Sequence, residues 1–247
     1  VIPALNEEAA IGLVVRALPP LGADVVVVDN GSADRTAERA REAGARVVRE
    51  ERHGYGQACL AGIAAAKDAD VVAFLDGDFS DDPGQLPRVL APLLAGEADL
   101  VIGSRVRGNS EPGAHPWHAV LGTHVCVALM NGLIGTRATD LGPFRGVTAS
   151  ALRILDMQDR GFGWTVEMQI KARLHGLRVL EVPVDYRCRR GGHSKVSGSV
   201  SGTVRAALKI LATIVRFAWS GVPASPPSIS AVADPLVPRA TDQPGRA

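Results

Sequence analysis

The chain is 247 residues long at 25.8 kDa, with 46% hydrophobic and 21% charged residues, enough for one sizeable core or two small ones and too apolar for a disordered or fibrous protein. Lys and Arg number 27 against 26 Asp and Glu, a net charge of +1, so no global basic field serves a nucleic-acid partner and electrostatic recognition must be local. Three cysteines, Cys59, Cys126 and Cys188, make neither a disulfide framework nor zinc-ligand spacing, and a reducing, cytoplasmic setting is the expectation.

The sequence opens at Val1 and runs straight into Ile2-Pro3-Ala4-Leu5-Asn6-Glu7-Glu8, so a few further residues are expected ahead of it; no signal peptide is legible. Up to about Leu100, short apolar runs alternate with helical stretches: 25–28 then 33–43, 71–75 then 84–95, then 100–102. Val-rich runs of this kind read as buried parallel strands joined by crossover helices, an α/β nucleotide-binding half over residues 1–105. Polar residues follow the runs, at Asn6-Glu7, Asp29-Asn30, Asp76-Gly77-Asp78 and Ser104-Arg105. In open parallel sheets ligands bind beyond the carboxyl ends of the strands, so these four ends predict one site.

Residues 107–116, rich in Gly, Pro, Asn and Ser, read as a loop, followed by helical periodicity through Leu133, helices over 148–155 and 165–175, and a strand over 179–184. These form an acceptor-side half, 106–200, of the same domain. Arg187, Arg189, Arg190, His193 and Lys195 stand among glycines and serines in a basic loop. An amphipathic helix is expected over 203–219 and a disordered, Pro-rich tail over 221–247. The apolar stretches 119–135 and 203–219 are interrupted by His124 and Asn131, and by Arg205, Lys209 and Arg216, so neither offers a spanning helix of about 20 apolar residues.

Asp76-Gly77-Asp78 places two carboxylates on a tight turn. Hard oxygen ligands of this kind suit Mg²⁺ or Mn²⁺ on a diphosphate; an acidic turn capping the next helix, helped by Ser80, Asp81 and Asp82, is the plainer alternative. Asp29 is placed to accept from a nucleobase or ribose. The glycines of His53-Gly54-Tyr55-Gly56 serve either close ligand approach or a simple turn. A P-loop and a full dinucleotide-binding glycine fingerprint are both absent.

Taken in order, Ile2-Pro3-Ala4-Leu5-Asn6-Glu7-Glu8, Val28-Asp29-Asn30-Gly31-Ser32, Asp76-Gly77-Asp78-Phe79-Ser80-Asp81-Asp82-Pro83, Gly103-Ser104-Arg105, Asp140-Leu141-Gly142-Pro143-Phe144-Arg145, Gly163-Trp164-Thr165-Val166-Glu167-Met168, Glu181-Val182-Pro183-Val184-Asp185-Tyr186-Arg187 and Gly192-His193-Ser194-Lys195 carry a resemblance. The chain resembles glycosyltransferase family 2, with its GT-A fold, and within it the branch of dolichyl-phosphate mannose synthase and related polyprenyl-phosphate glycosyltransferases. The resemblance covers nearly all of the chain before the tail. It implies that Pro3, Asn6, Glu7 and Asp29 line a nucleotide pocket, that Asp76 and Asp78 serve a divalent metal and the donor diphosphate, and that Arg105, Arg187 and Lys195 face donor or acceptor phosphates, with Arg145 on the acceptor side.

The activity so implied is inverting transfer of a hexose from a UDP- or GDP-linked sugar to polyprenyl phosphate, with Asp78 and Arg105 in catalytic positions. An acceptor phosphate is already an anion and needs orientation only; a sugar hydroxyl in a glycan or small molecule would need a base, for which Glu167 is the candidate. Glu167 reads equally as a structural residue paired with Lys171 at i+4. Two features depart from the family pattern: 115–121 lacks the arginine that polyprenyl-phosphate enzymes often carry there, and no membrane anchor is legible. The 203–219 helix could substitute by lying in a membrane interface, or could pack on its own domain. A sugar nucleotidyltransferase and a non-catalytic nucleotide-binding protein are the competing readings.

Overall fold

The computed structural model describes residues 1–114 and 116–190 and the backbone of 200–220, with side chains from 207 to 219. Lys195, the Gly192-His193-Ser194-Lys195 motif and the 221–247 tail lie outside the described residues.

Strand β1 (Ile2–Ala4), helix α1 (Ile11–Ala17), β2 (Val26–Asp29), α2 (Thr36–Glu42) and β3 (Arg46–Arg49) build a parallel three-stranded sheet in the order β1-β2-β3. Val27 pairs with Ile2 on one side and Val47 on the other, and every residue of β2 is buried, so β-branched side chains fill both faces. Helix α3 (Tyr55–Ala65) then leads to β4 (Val71–Phe74), α4 (Leu86–Leu94) and β5 (Leu100–Ser104). After α5 (Trp117–Ile134) come β6 (Arg145–Thr148), α6 (Ala149–Leu155), α7 (Trp164–Leu174), β7 (Val179–Pro183) and α8 (Val200–Ser220). The second sheet has the order β4-β6-β5-β7, with β5 parallel to β7 and β6 antiparallel to both β4 and β5.

The two sheets abut. Val1 donates to the Ala73 carbonyl at 2.7 Å and accepts from the Leu75 amide at 3.4 Å, the slanted pattern of a parallel pair that sets β1 beside β4. β1, β2, β4 and β5 therefore all end on the same edge, as the strand-end reasoning requires. The sheet is mostly parallel as expected; β6 is the exception, and the sequence reading assigned neither it nor β3. Arg-Gly-Val-Thr and Arg-Val-Val-Arg contain too few apolar residues to announce strands, and both are held by neighbours already in place.

Helix α4 turns Leu86, Val89 and Leu93 inward beneath the sheets, where they join Ile2, Ile11, Val27 and Phe144. A second cluster gathers Phe74, Ile102, Val147, Leu155 and Trp164, with the Phe74 and Trp164 rings edge to face at 4.8 Å. The third lies under α5 and α8, where Cys126 and Met130 meet Val166 and Ile170 of α7 and Ile214 of α8. Among the described residues, α5 alone has the length and apolarity of a membrane span, with mean hydropathy 1.3 over 18 residues, although His124 and Asn131 argued against one in the sequence. Its inner residues are packed on α7 and α8, so here it is part of the domain. Cys59, Cys126 and Cys188 are all free thiols.

Candidate active site

The common edge of β1, β2, β4 and β5 forms the wall of a cavity of about 950 Å³. Pro3, Glu7, Asp76, Asp78 and Arg105, five of the residues singled out in the sequence, line it together. At its far end it runs between α5 and α8, past Ala119, Val120, Thr123, Cys126, Ala207 and Ile210.

Asp76 leaves β4 and Asp78 follows one residue beyond Gly77. Burial, then the charges of Asp78 and Asp81, push the Asp76 carboxyl well above the usual carboxylate range. Asp81 is fully buried beside them; burial chiefly raises its carboxyl to about 7, with Arg105 pulling the other way. Its Oδ2 accepts from the Asp76 amide at 3.4 Å, and its Oδ1 has no hydrogen-bond partner among the described residues. Asp78 Oδ1 accepts from the Ser80 amide at 2.9 Å and its hydroxyl at 2.5 Å, a turn in which Phe79 takes a left-handed φ of +65°. Three carboxyls forced together out of water call for positive charge.

Part of that charge comes from Arg189, which sequence reasoning placed in the basic loop but did not select. Its guanidinium pairs with Asp78 Oδ2, the Nε at 3.2 Å, and lies 3.6 Å from Glu7 Oε1. Its Nη1 is buried with no partner among the described residues, a donor suited to a phosphate oxygen. The strap carrying it is stitched over the Asp76–Asp78 turn by the Arg187 amide on the Ser80 carbonyl at 2.8 Å and the Arg190 amide on the Asp78 carbonyl at 3.0 Å. In the run Arg187-Cys188-Arg189-Arg190 every second residue shares a side, so spacing alone did not separate Arg189 from Arg187.

Arg187 instead pairs with Asp82 at 2.7 Å over the Phe79 ring and does not line the cavity. Arg105 remains on the wall, its fork committed to Asp140: Nε to Oδ2 at 2.8 Å and Nη2 to Oδ1 at 2.7 Å, with the Tyr186 ring 5.0 Å from its guanidinium carbon. It is a fixed positive charge rather than a free clamp.

Asn6, exposed, and Asp29, buried, do not line the cavity. Asn6, at φ +53°, donates its amide to Ser32 Oγ at 2.9 Å and accepts from Ala33 at 2.8 Å, tying the β1 loop to the β2 loop. Asp29 Oδ1 caps the Ser32 amide at 3.0 Å, while its neighbour Asn30 lines the cavity and pins the 50–54 segment through Glu50, Arg52 and Gly54. The Gly54-Tyr55-Gly56 turn answers a packing need. A Cβ on Gly54 or Gly56 would stand 2.2 Å from the Arg160 carbonyl oxygen or 2.1 Å from that of Asp159. Tyr55, between them, presents its buried ring to the cavity.

Two further residues singled out in the sequence lie off the cavity. Arg145 is fully buried, its guanidinium spent on the carbonyls of Leu141, Gly142 and Thr165 and 5.9 Å from the Trp164 ring centre; burial pulls it down to about 10. It braces the 141–145 turn and does not line the cavity. Glu167 is likewise buried, accepting from the Gln158 amide at 3.1 Å and the Asp159 amide at 2.7 Å and pairing with Lys171 at 2.8 Å. Its oxygens are filled by structural partners and it lies off the cavity, the arrangement of the structural alternative paired with Lys171.

Among the described residues no three His, Cys, Asp or Glu side chains form a ready-made metal cage. The carboxylates of half-buried Asp76 and buried Asp78, both on the cavity wall, fit a divalent ion taking its remaining oxygens from a bound diphosphate and water.

Comparison with known proteins agrees with this architecture. Residues 1–152 match the family model described as Glycosyl transferase family 2. An uncharacterised glycosyltransferase of Mycobacterium bovis is 43% identical over 213 residues, covering 84% of this chain and 93% of the relative. The undecaprenyl-phosphate mannosyltransferase of Micrococcus luteus is 31% identical over 216 residues, covering 82% and 88%. Among solved structures, glucosyl-3-phosphoglycerate synthase from Mycobacterium tuberculosis in complex with Mn²⁺, UDP-glucose and phosphoglyceric acid superposes with a TM-score of 0.71 at 26% identity, covering 87% of this chain and 77% of that one. With the mixed sheet, the cavity at its strand ends and the Asp76-Gly77-Asp78 turn in place, the chain has the GT-A fold and belongs to glycosyltransferase family 2.

Proposed function

We propose that the chain transfers a hexose, with inversion, from a UDP- or GDP-linked donor to a polyprenyl phosphate. The observation that carries this reading is the shape of the cavity: a charged end at Asp76, Asp78, Arg105 and Arg189 continues into an apolar slot between α5 and α8. A phosphate with a long hydrocarbon tail matches both ends, and a small polar acceptor would leave the slot unused. The names of an undecaprenyl-phosphate mannosyltransferase and a dolichyl-phosphate hexose transferase, 31% and 32% identical, support it.

In this reading Pro3, Glu7 and Asn30 frame the nucleotide, while Asn6 and Asp29 hold that frame. Asp76 and Asp78 would hold Mg²⁺ or Mn²⁺, which when bound neutralises charge on the leaving diphosphate. Arg189 and Arg105 set positive charge where the donor and acceptor phosphates meet, and Lys195 is proposed to add to it. The acceptor oxygen is an anion already, so it attacks the anomeric carbon from the face opposite the diphosphate without losing a proton. The burial of Glu167 is compatible with that chemistry.

The test is release of nucleoside diphosphate from UDP- and GDP-sugars with Mn²⁺, comparing short-chain polyprenyl phosphate, 3-phosphoglycerate and no acceptor. Turnover is expected with the lipid phosphate. Turnover with phosphoglycerate alone would move the assignment to the acceptor named for the solved neighbours.

A further inference from the structure

Helices α5 and α8 both lay their inner stripes on α7, through Cys126 and Met130 on one and Ile214 on the other. Their outer stripes therefore both face away from the body of the domain. Those stripes are apolar: Trp117, Leu121, Val125 and Leu133 on α5 and Leu208 and Trp219 on α8 are exposed, the two tryptophans at 77% and 89%. Large apolar surface left open in this way marks an interaction site.

Charge identifies the occupant. Residues 112–139 and 186–233 together hold none of the 26 Asp and Glu of the chain and eight of its 27 Lys and Arg. Of these, Arg187, Arg189 and Lys209 are paired with Asp82, Asp78 and Asp159, whereas Arg137, after α5, and Arg216, on α8, are exposed. A protein partner of opposite character would need acidic and apolar groups in fixed register, whereas an anionic lipid surface offers both without register. Tryptophan at the outer end of each helix is the side chain that settles at the boundary between headgroups and acyl chains.

We infer that the outward faces of α5 and α8 dock onto an anionic lipid bilayer, both helices lying in the plane of the interface. The inner residues of α5 stay in the α7 and α8 packing, so docking requires no span. The inference stands on the face alone and does not presuppose the acceptor, and its test contains neither donor nor acceptor, so the two can fail separately.

The full chain is mixed with vesicles of phosphatidylcholine, with and without phosphatidylglycerol, and followed by flotation and by tryptophan emission. Of the three tryptophans, Trp164 is buried, so any change in emission reports Trp117 and Trp219. A blue shift and flotation with the anionic vesicles, weakened by added salt, are expected. Leu121→Glu/Leu133→Glu, neither of which lines the cavity, should lower partitioning roughly tenfold or more at unchanged circular dichroism and melting temperature. Should that variant fail to fold, Trp219→Ala, at a fully open position, gives the same reading with a smaller loss. Absence of flotation with anionic vesicles overturns the inference, as does binding that both variants leave intact. A concentration-dependent dimer that Leu121→Glu/Leu133→Glu dissociates, without vesicle binding, would also overturn it and assign the face to a second copy of the chain.

Discussion

At the scale of single residues, the site divides into groups that meet the cavity and groups that hold it open. Arg189 belongs to the first kind and Arg187 to the second, although they stand two apart in one basic run. Arg189→Ala should lower kcat/KM about 100-fold or more by removing charge from the diphosphate end, whereas Arg187→Ala, which breaks a half-exposed pair with Asp82, should stay within about 1 kcal/mol in stability and a few-fold in rate. Asp78→Ala should abolish metal-dependent turnover; undiminished release of nucleoside diphosphate would remove the metal assignment. Glu167→Gln separates scaffold from chemistry. It leaves buried Lys171 without its carboxylate and should destabilise the fold by about 3 kcal/mol, seen as a lower melting temperature, while kcat of the folded fraction persists. Loss of kcat at an unchanged melting temperature would restore Glu167 as a base.

At the scale of elements, what was legible in the sequence follows from how each element is stabilised. β2 and β5 are buried throughout and announce themselves by unbroken apolar runs, and Asn30 and Arg105, just after them, line the cavity. β3 and β6 are strands because neighbours hold them, a reason that no local window contains. The same logic explains the cavity wall: Asp76, Asp78 and Glu7 stand at strand ends, whereas the placement of Arg145 depends on Thr165, twenty places on, and that of Glu167 on the Gln158 and Asp159 amides across a turn, beside the Lys171 pairing that the i+4 spacing already offered. The Arg105–Asp140 fork joins β5 to the loop before β6 and gives a pH test. Burial alone would raise the Asp140 carboxyl, but the Arg105 charge and hydrogen bonds from the Arg105 and Leu141 amides hold it below the usual range. A carboxyl depressed on folding stabilises the fold above its unfolded value near 4 and loses that contribution as pH falls through the folded value. Asp140→Asn should therefore cost about 3 kcal/mol at pH 7, and the gap to the wild type should close below about pH 4 in denaturant titrations.

At the scale of the whole molecule, the two abutting sheets supply the charged wall, and the helical layer of α5, α7 and α8 supplies the slot. Residues 221–247 belong to neither by composition, and a chain ending at Gly221 is expected to release nucleoside diphosphate at the full rate. The slot has a kinetic consequence. If the outer faces of α5 and α8 dock on lipid as inferred, a polyprenyl phosphate entering between them reaches Arg189 from the lipid layer, and the concentration that governs encounter is then a surface density. Diluting a polyprenyl phosphate with inert lipid, at constant bulk amount of acceptor, should then slow turnover in proportion to its falling mole fraction, as in a reaction confined to two dimensions.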